Sequence, residues 1–233
     1  MGLVTRQIFG PMNPIRAFAR SHATRGIRTA LLRVREEWVI CRRHRSNLKR
    51  VPSFTSTLPI RLHLGSGPNY KAGWVNVDLF HPDADLQLDL RDPWPFPSES
   101  ASYIYSEHVF EHFDYYEEVP HFLSESMRTL QRGGIFDVGV PDTEWPLRGY
   151  KHPEDAYWKI AEKWHPPECA TQLDHINYHF RQHGEHKYAW DCENLKISLE
   201  SHGFVMVERR EFDAALDCAA RNPGTLYLRA RKK

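Results

Sequence analysis

The stretch "LHLGSGPNYKAGWVNVD", residues 62–78, places the strongest limit on what this chain can fold into. A short apolar run ends at Gly65-Ser66-Gly67, and a second apolar run ends at Asp78. A strand followed by closely spaced glycines, with an acidic residue after the next strand, is typical of nucleotide-binding α/β sheets. Only ten residues separate Gly67 from Asp78. This is about half the usual interval, so the connection between the two strands is compressed.

Strand and helix patterns alternate along most of the chain. Apolar patterns predict seven strands, at 60–64, 73–80, 85–90, 101–106, 135–140, 204–212 and 225–231, and two helices, at 115–131 and 191–203. This alternation predicts an α/β fold with a mostly parallel sheet, closed by an antiparallel strand. Gly133-Gly134 is predicted to end the first helix as a C-cap. Residues 141–190, rich in Trp, His, Tyr and Pro, predict an insertion over the carboxyl edge of the sheet before the last helix.

Residues 1–50 form a basic arm with twelve Arg or Lys against two Glu, a net charge of +10, while the whole chain carries +1. Apolar residues recur at helical spacing among the arginines: Ile15, Phe18, Ala19, Ile27, Leu31, Leu32, Val34, Trp38 and Val39. We favour a helix that packs on the body or binds an anionic membrane surface. RNA binding and an organelle transit peptide are the alternatives. Residues 51–59, rich in Pro, Ser and Thr, predict a linker to a domain at 60–233.

Two bulk features bear on the location of the protein. No apolar run approaches the ~20 residues that a membrane span needs. The four cysteines are far apart and form no CxxC pair, which is typical of a reducing compartment. We expect a cytoplasmic protein, with the arm able to hold it peripherally at the inner face of a membrane.

The compressed loop also limits the ligand. A dinucleotide needs a helix N-terminus with free amides for its pyrophosphate. Pro68 lacks an N–H group, and the few residues between it and Trp74 leave no room for a full helix. Glycines let the backbone approach a ligand, and the Asp78 carboxylate can accept hydrogen bonds from a ribose diol. A ribose-bearing ligand without phosphates, such as S-adenosylmethionine, is therefore favoured over NAD or FAD.

Six motifs in order resemble those of class I S-adenosylmethionine-dependent methyltransferases over about residues 60–212: "LHLGSGP", "VNVD", "LDLRDPWPFPSESASYIYSEHVFEHF", "LQRGG", "VPD" and "LESHGF". The chain is most similar to the methyltransferase-11-like branch found with bacterial surface-polysaccharide genes. The resemblance implies a Rossmann-like methyltransferase fold with a seven-stranded sheet, a shortened first helix and an inserted lid before the last helix. It also implies S-adenosylmethionine as the cofactor.

The resemblance implies a cofactor role for residues at the ends of four predicted strands. Gly65, Ser66 and Gly67 would line the methionine portion, and Asp78 would hold the ribose hydroxyls. Asp89, with the Leu90 amide nearby, would bind adenine, while Ser106 and Glu107 would face the methionine amine and the acceptor. The resemblance leaves the contacts of His63 open, because many relatives carry an acid at this position before the glycines.

Histidines cluster where the acceptor is expected. His108 directly follows the fourth predicted strand, and His186 lies in a "GEHKYAWD" run before the last helix, so both are candidate general bases. His112 is expected to pack. His175, His179 and His183 repeat every four residues, a spacing that can bind a divalent metal but more commonly forms a polar helix face. Asp142 could bind acceptor hydroxyls or cap a turn.

These observations predict a methyltransferase that O-methylates a sugar hydroxyl of a cell-surface glycan or glycolipid. An RNA methyltransferase that uses the basic arm is the alternative enzyme. The acidic balance of the rest of the chain disfavours nucleic acid, because binding charge must cluster on the binding face. A catalytically silent adaptor with a methyltransferase fold is the third reading, and the intact set of Gly65, Gly67 and Asp78 counts against it.

Overall fold

The structure, a computed structural model, describes residues 24–233. The chain divides into two compact units, Met1–Arg43 and His44–Lys233. Helix α1, Arg25–Leu48, includes most of the described part of the basic arm. The apolar positions predicted at Ile15, Phe18 and Ala19 lie outside the described residues. Within 24–233, no helix has both the length and the apolar character that crossing a bilayer requires.

The predicted linker 51–59 contains a short helix, α2, Val51–Phe54. Pro52 is compatible with a first helical turn, where its missing N–H group costs no hydrogen bond. Val51 is buried in the main apolar core, together with Ile60 at the start of the first strand. The second compact unit thus begins at His44, before the predicted linker at 51–59. The domain boundary at residue 60 stays a prediction.

A six-stranded mixed sheet forms the body: β1 Ile60–Leu64, β2 Val75–Val77, β3 Ala101–Glu107, β4 Leu130–Pro141, β5 Phe204–Arg210 and β6 Thr225–Lys232. The spatial order is β2-β1-β3-β4-β6-β5. Strands β1 to β4 are parallel, and β6 is antiparallel to both β4 and β5. The Rossmann-like α/β class and the antiparallel closing strand are therefore confirmed.

The prediction of seven strands is wrong, because residues 85–90 form only one bridge to the sheet, between Val77 and Leu86. The Asp85 carboxylate accepts the backbone N–H of Asn76 in β2 at 2.8 Å. This N–H group is therefore bonded to a side chain and not to the backbone of a neighbouring strand. Leu86 is fully buried, which accounts for the strand-like apolar pattern of the segment. The compressed loop correctly excluded a full helix, but the shortened first helix that the resemblance implied is wrong. The described chain contains no helix between β1 and β2, because too few residues separate the two strands.

Helix α3, Glu118–Thr129, confirms the first predicted helix, but its predicted C-cap at Gly133-Gly134 is wrong. The chain turns directly into β4 at Leu130, which has an extended backbone (φ −64°, ψ 138°). Gly133 has φ +73° and lies where the register between β3 and β4 shifts. The glycines therefore accommodate an irregularity in a strand, not the end of a helix.

Residues 141–190 contain three helices, α4 Glu144–Lys151, α5 Ala156–Trp164 and α6 Gln172–Arg181. Trp145, Tyr157 and Trp158 form a small apolar core of their own with Ala161. The next helix, α7 Cys192–Ser201, follows this insertion and is capped by Asp191, whose side chain accepts the N–H of Asn194. The insertion is thus a helical layer with its own packing, and its action as a lid stays a prediction.

A buried ionic network joins the central strands. Asp137 on β4 is fully buried and pairs with Arg229 on β6 at 2.7 Å and with Arg210 on β5 at 3.3 Å. Tyr103 on β3 also donates a hydrogen bond to the Asp137 carboxylate. One carboxylate on β4 therefore connects that strand with β3, β5 and β6, and its charge is balanced within the interior.

Candidate active site

The glycine loop follows β1 at the carboxyl edge of the sheet. Gly65 has φ +69° and Gly67 has φ +48°, a backbone region that favours glycine. A Cβ atom at position 65 would lie 2.1 Å from Cγ2 of Val109, so the loop closely approaches the segment that follows β3. Ser66 is buried, and its amide donates to the carbonyl of Val77.

Asp78 closes this loop. One carboxylate oxygen accepts the N–H of Gly67 at 2.8 Å, and the other accepts the N–H groups of Phe80 and His81 at 2.8 and 2.7 Å. The carboxylate therefore links the end of β2 to the glycine loop and fixes both. The contact of Asp78 with a ribose diol stays a prediction. The half-buried carboxylate would have to accept hydrogen bonds from the diol in addition to those from the three amides.

Asp89 and Leu90 lie beyond β2 in the segment predicted to hold adenine. Burial alone would raise the pKa of Asp89, but hydrogen bonds from the Arg91 guanidinium and amide hold that pKa below its usual range. Leu90 is buried, and its carbonyl accepts the indole N–H of Trp94 at 3.1 Å. The adenine role of both residues stays a prediction.

The contacts of His63, left open by the sequence, belong to the interior. Its Nδ1 lies 3.1 Å from Oδ1 of Asn76, and its ring packs 5.2 Å from that of Tyr105. Burial, followed by the charge of Lys71, lowers the pKa of His63 to about 4. His63 is therefore a neutral structural histidine beneath the glycine loop.

Ser106 and Glu107, at the end of β3, are both buried. The Glu107 carboxylate accepts the Tyr227 hydroxyl at 2.9 Å and the amide of Cys218 at 3.2 Å, and Arg221 lies 3.4 Å away. These partners come from the end of the chain, and no local pattern in the sequence pointed to them. Contacts of Ser106 and Glu107 with a methionine amine remain a prediction.

His108 follows β3 with φ +57°, a strained conformation for a residue other than glycine. Its Nε2 lies 2.8 Å from the Thr225 hydroxyl, and its Nδ1 lies 3.7 Å from a Glu111 oxygen. Burial, together with the charge of Arg221, lowers the pKa of His108 well below its usual value. A neutral imidazole is thus held rigidly beside the glycine loop, since Val109 is the next residue.

His112 and His186 lie side by side, with ring centroids 5.1 Å apart. His112, which was expected to pack, has a side chain that is 40% exposed, and its Nε2 lies 3.8 Å from Glu111. Burial lowers the pKa of both histidines. The structure therefore brings together His108, His112 and His186 around the carboxylate of Glu111.

Glu111, between the candidate histidines His108 and His112, is a functional candidate that the sequence did not single out. It lies in a 3-10 turn, Phe110–His112, and burial raises its pKa to about 8. Among residues 24–233, neither of its carboxylate oxygens has a hydrogen-bond partner. The "EHVFEH" run was the available signal, but only the fold shows that this carboxylate points inward.

Among residues 24–233, two groups of three side chains place their ligand atoms within 4.8 Å of one another: Glu111, His112 and His186, and, in the insertion, His165, Cys169 and His175. Of the predicted repeat, only His175 and His179 lie in α6, because the helix ends at Arg181 and His183 follows in a turn with φ +57°. His179 lines the small cavity beside Glu111, whereas His175 belongs to the second group.

The acceptor-side candidate Asp142 and the neighbouring Tyr188 both have structural partners. Asp142 accepts the N–H of Glu144 at 3.0 Å, as a turn cap does, and lies 3.5 Å from Arg209. Tyr188 stacks on Tyr115 with ring centroids 4.2 Å apart. Both side chains contribute to the local structure around the histidines.

Comparison with known proteins was consistent with the sequence motifs. Residues 71–138 match a family model described as "Methyltransferase domain". This match confirms the predicted enzyme class, an S-adenosylmethionine-dependent methyltransferase, and its cofactor. No curated protein is significantly similar in sequence.

Several solved structures resemble the chain at low identity. A SAM-dependent methyltransferase from Archaeoglobus fulgidus is 15% identical, with 84% of this chain and 94% of that chain covered and a TM-score of 0.47. A possible histamine N-methyltransferase from Thermotoga maritima is 16% identical, with 87% and 96% covered and a TM-score of 0.46. Similarity this distant leaves the acceptor to be inferred from the residues of this chain.

Proposed function

We propose that this S-adenosylmethionine-dependent methyltransferase O-methylates a sugar hydroxyl of a glycan or glycolipid. The observation that carries the proposal is the position of His108. This neutral imidazole lies next to Val109, which contacts the predicted cofactor loop at Gly65. A hydroxyl is a poor nucleophile at neutral pH, so an O-methyltransferase benefits from a base at this place.

The chemistry is an in-line displacement at the sulfonium methyl group. The acceptor oxygen forms a bond to the methyl carbon, the carbon–sulfur bond breaks to give S-adenosylhomocysteine, and the hydroxyl proton passes to an imidazole nitrogen. His108 and His186 are the two candidates for that base. Most of the rate enhancement would come from alignment of the two reactants, which the buried and mutually packed side chains favour.

The basic helix supports a setting at a membrane. Ile27, Leu31, Val34 and Trp38 of α1 follow a spacing that places side chains on one side of a helix, among arginines. A helix of this kind can insert its apolar side between anionic headgroups. We propose that the arm brings the domain to lipid-linked sugar acceptors, and binding to anionic but not neutral vesicles would test this.

The cofactor is tested first. S-adenosylhomocysteine at a hundredfold excess over its Kd should stabilise the native state by about 2.7 kcal/mol and raise the Tm by roughly 5–10 °C. Methyl transfer from labelled S-adenosylmethionine is then screened over sugars, glycolipids and RNA. Labelled sugar or glycolipid supports the proposal, whereas labelling of RNA alone would favour the RNA methyltransferase. A chain that binds the cofactor product and labels no acceptor would favour the adaptor.

The base is tested with histidine variants. His108→Ala should reduce turnover by 100-fold or more, a typical contribution of general base catalysis. His121→Ala is the matched control, because that histidine lies in α3, outside the candidate site, and its Nε2 lies 3.1 Å from the carbonyl oxygen of Asp92. Full turnover in both His108→Ala and His186→Ala would show that neither residue is the base.

A further inference from the structure

Glu111 is a buried carboxylate without a hydrogen-bond partner among residues 24–233. The side chain is 2% exposed, and neither carboxylate oxygen is hydrogen-bonded within the described chain. An unpaired carboxylate in the interior costs several kcal/mol unless a cation or a donor compensates it. The imidazole nitrogens Nδ1 of His108 and Nε2 of His112 lie 3.7 and 3.8 Å from the carboxylate, too far for hydrogen bonds.

Two imidazoles beside Glu111 have the orientation that metal ligands require. Nδ1 of His112 lies 3.1 Å from the carbonyl oxygen of Glu185, and Nδ1 of His186 lies 3.0 Å from that of His179. A carbonyl only accepts, so each Nδ1 carries the proton and donates it. In a neutral ring the lone pair is then on Nε2, and metal-binding histidines are commonly oriented by such a bond to a carbonyl.

The geometry around these three side chains suits one ion. Their ligand atoms all lie within 4.8 Å of one another. Beside them is a cavity of about 10 Å³, lined by Glu111, His179 and His186 among others. Its volume is about that of a single water-sized sphere. Nε2 of His179, which is buried and without a partner in the described chain, supplies a further nitrogen at this cavity.

We propose that Glu111, His112 and His186 bind one divalent transition-metal ion. Two imidazoles and one carboxylate are a ligand set for Zn²⁺, Fe²⁺ or Mn²⁺, and they leave a coordination position open. An imidazole-rich set disfavours Mg²⁺ and Ca²⁺, which prefer oxygen ligands. The ion would also supply the positive charge that the buried Glu111 carboxylate lacks.

The ion has a consequence for the reaction, and this part rests on the proposed function. A metal-bound hydroxyl is more acidic than a free one, so the acceptor could be activated at the open position. His186 cannot be both ligand and base, because both roles use the lone pair on Nε2. The base role then falls to His108, which remains outside the ligand set.

Metal binding is measured without cofactor or acceptor, so that its failure is separate from that of the proposed reaction. The purified chain is stripped with EDTA and titrated with Zn²⁺ by calorimetry and with Co²⁺ by absorption spectroscopy. We expect binding at the Glu111 site that weakens at least tenfold in His112→Ala and in Glu111→Gln. His112 is partly exposed, so His112→Ala gives a folded test if Glu111→Gln does not fold.

Cys169→Ser is the matched control, because Cys169 belongs to the other potential ligand group. In that group Nδ1 of His165 and Nδ1 of His175 lie 3.0 Å apart and face each other. We expect Cys169→Ser to retain the ion and the Co²⁺ spectrum to lack a thiolate charge-transfer band. Zn²⁺ binding that is unchanged in His112→Ala and His186→Ala, or that is lost in Cys169→Ser, would overturn the proposal.

Discussion

Gly65 offers a quantitative test of how the cofactor loop is held. Both Gly65 and Gly67 have positive φ angles, +69° and +48°, so replacing either with alanine strains the backbone. That strain is about 1–2 kcal/mol for an L-residue. The two positions differ in the room available for a Cβ atom. A Cβ at position 65 would lie 2.1 Å from Val109 Cγ2, whereas a Cβ at position 67 would have no other atom within 4 Å.

The difference predicts unequal costs. Gly67→Ala should lower the free energy of unfolding by about 1–2 kcal/mol, from backbone strain alone. Gly65→Ala adds overpacking, which typically costs about 1–3 kcal/mol, so a total of roughly 2–5 kcal/mol is expected. Urea unfolding of both variants at fixed pH, followed by tryptophan fluorescence, measures these values.

A double-mutant cycle separates the clash from the strain. Val109→Ala removes Cγ2, and the next contact of the new Cβ would be Val109 Cβ at 3.4 Å, an ordinary distance. The double variant Gly65→Ala/Val109→Ala should therefore lose about 1–3 kcal/mol less free energy of unfolding than the two single variants lose together. Equal costs for Gly65→Ala and Gly67→Ala, or additivity in the cycle, would refute the close approach of these two segments.

Three further outcomes are expected from the structure. Burial lowers the pKa of His63 from 6.5 to about 4 in the folded state, so its contribution to stability is full above pH 6.5 and is lost as the pH falls toward 4. Between pH 7.5 and 5 the free energy of unfolding should therefore fall by about 2 kcal/mol less in His63→Gln than in the unmodified protein. The same pH profile in both proteins would contradict this. Asp137→Asn should destabilise the fold by about 3–5 kcal/mol in urea unfolding, because it removes the fully buried charge that pairs with Arg229 and Arg210. Lys196→Ala in the exposed pair with Glu200 should cost under ~0.5 kcal/mol. Asp191→Ala should cost about 1 kcal/mol by removing the N-cap of α7, and Asp191→Asn should restore most of it.

Features that depend on neighbouring residues in the chain were predictable. The order of the six observed strands, the lack of room for a full helix between β1 and β2, and the start of α7 near Asp191 all follow from apolar periodicity and turn chemistry. The segment 85–90 was predicted as a strand, because alternating apolar residues are buried whether or not they pair along a ladder. Gly133 was misassigned because a positive φ serves an irregular strand as well as a helix end.

The sequence by itself determined the class of the sheet, the compressed glycine loop and the enzyme class, because these reside in short runs whose spacing is a local property. Only the tertiary structure decided which side chains meet. Glu107 is paired with Tyr227 from the end of the chain, and His112 meets His186 across the insertion. The Glu111 carboxylate, which has no hydrogen-bond partner among residues 24–233, likewise results from burial, because desolvation and partner geometry arise only when distant segments pack against one another.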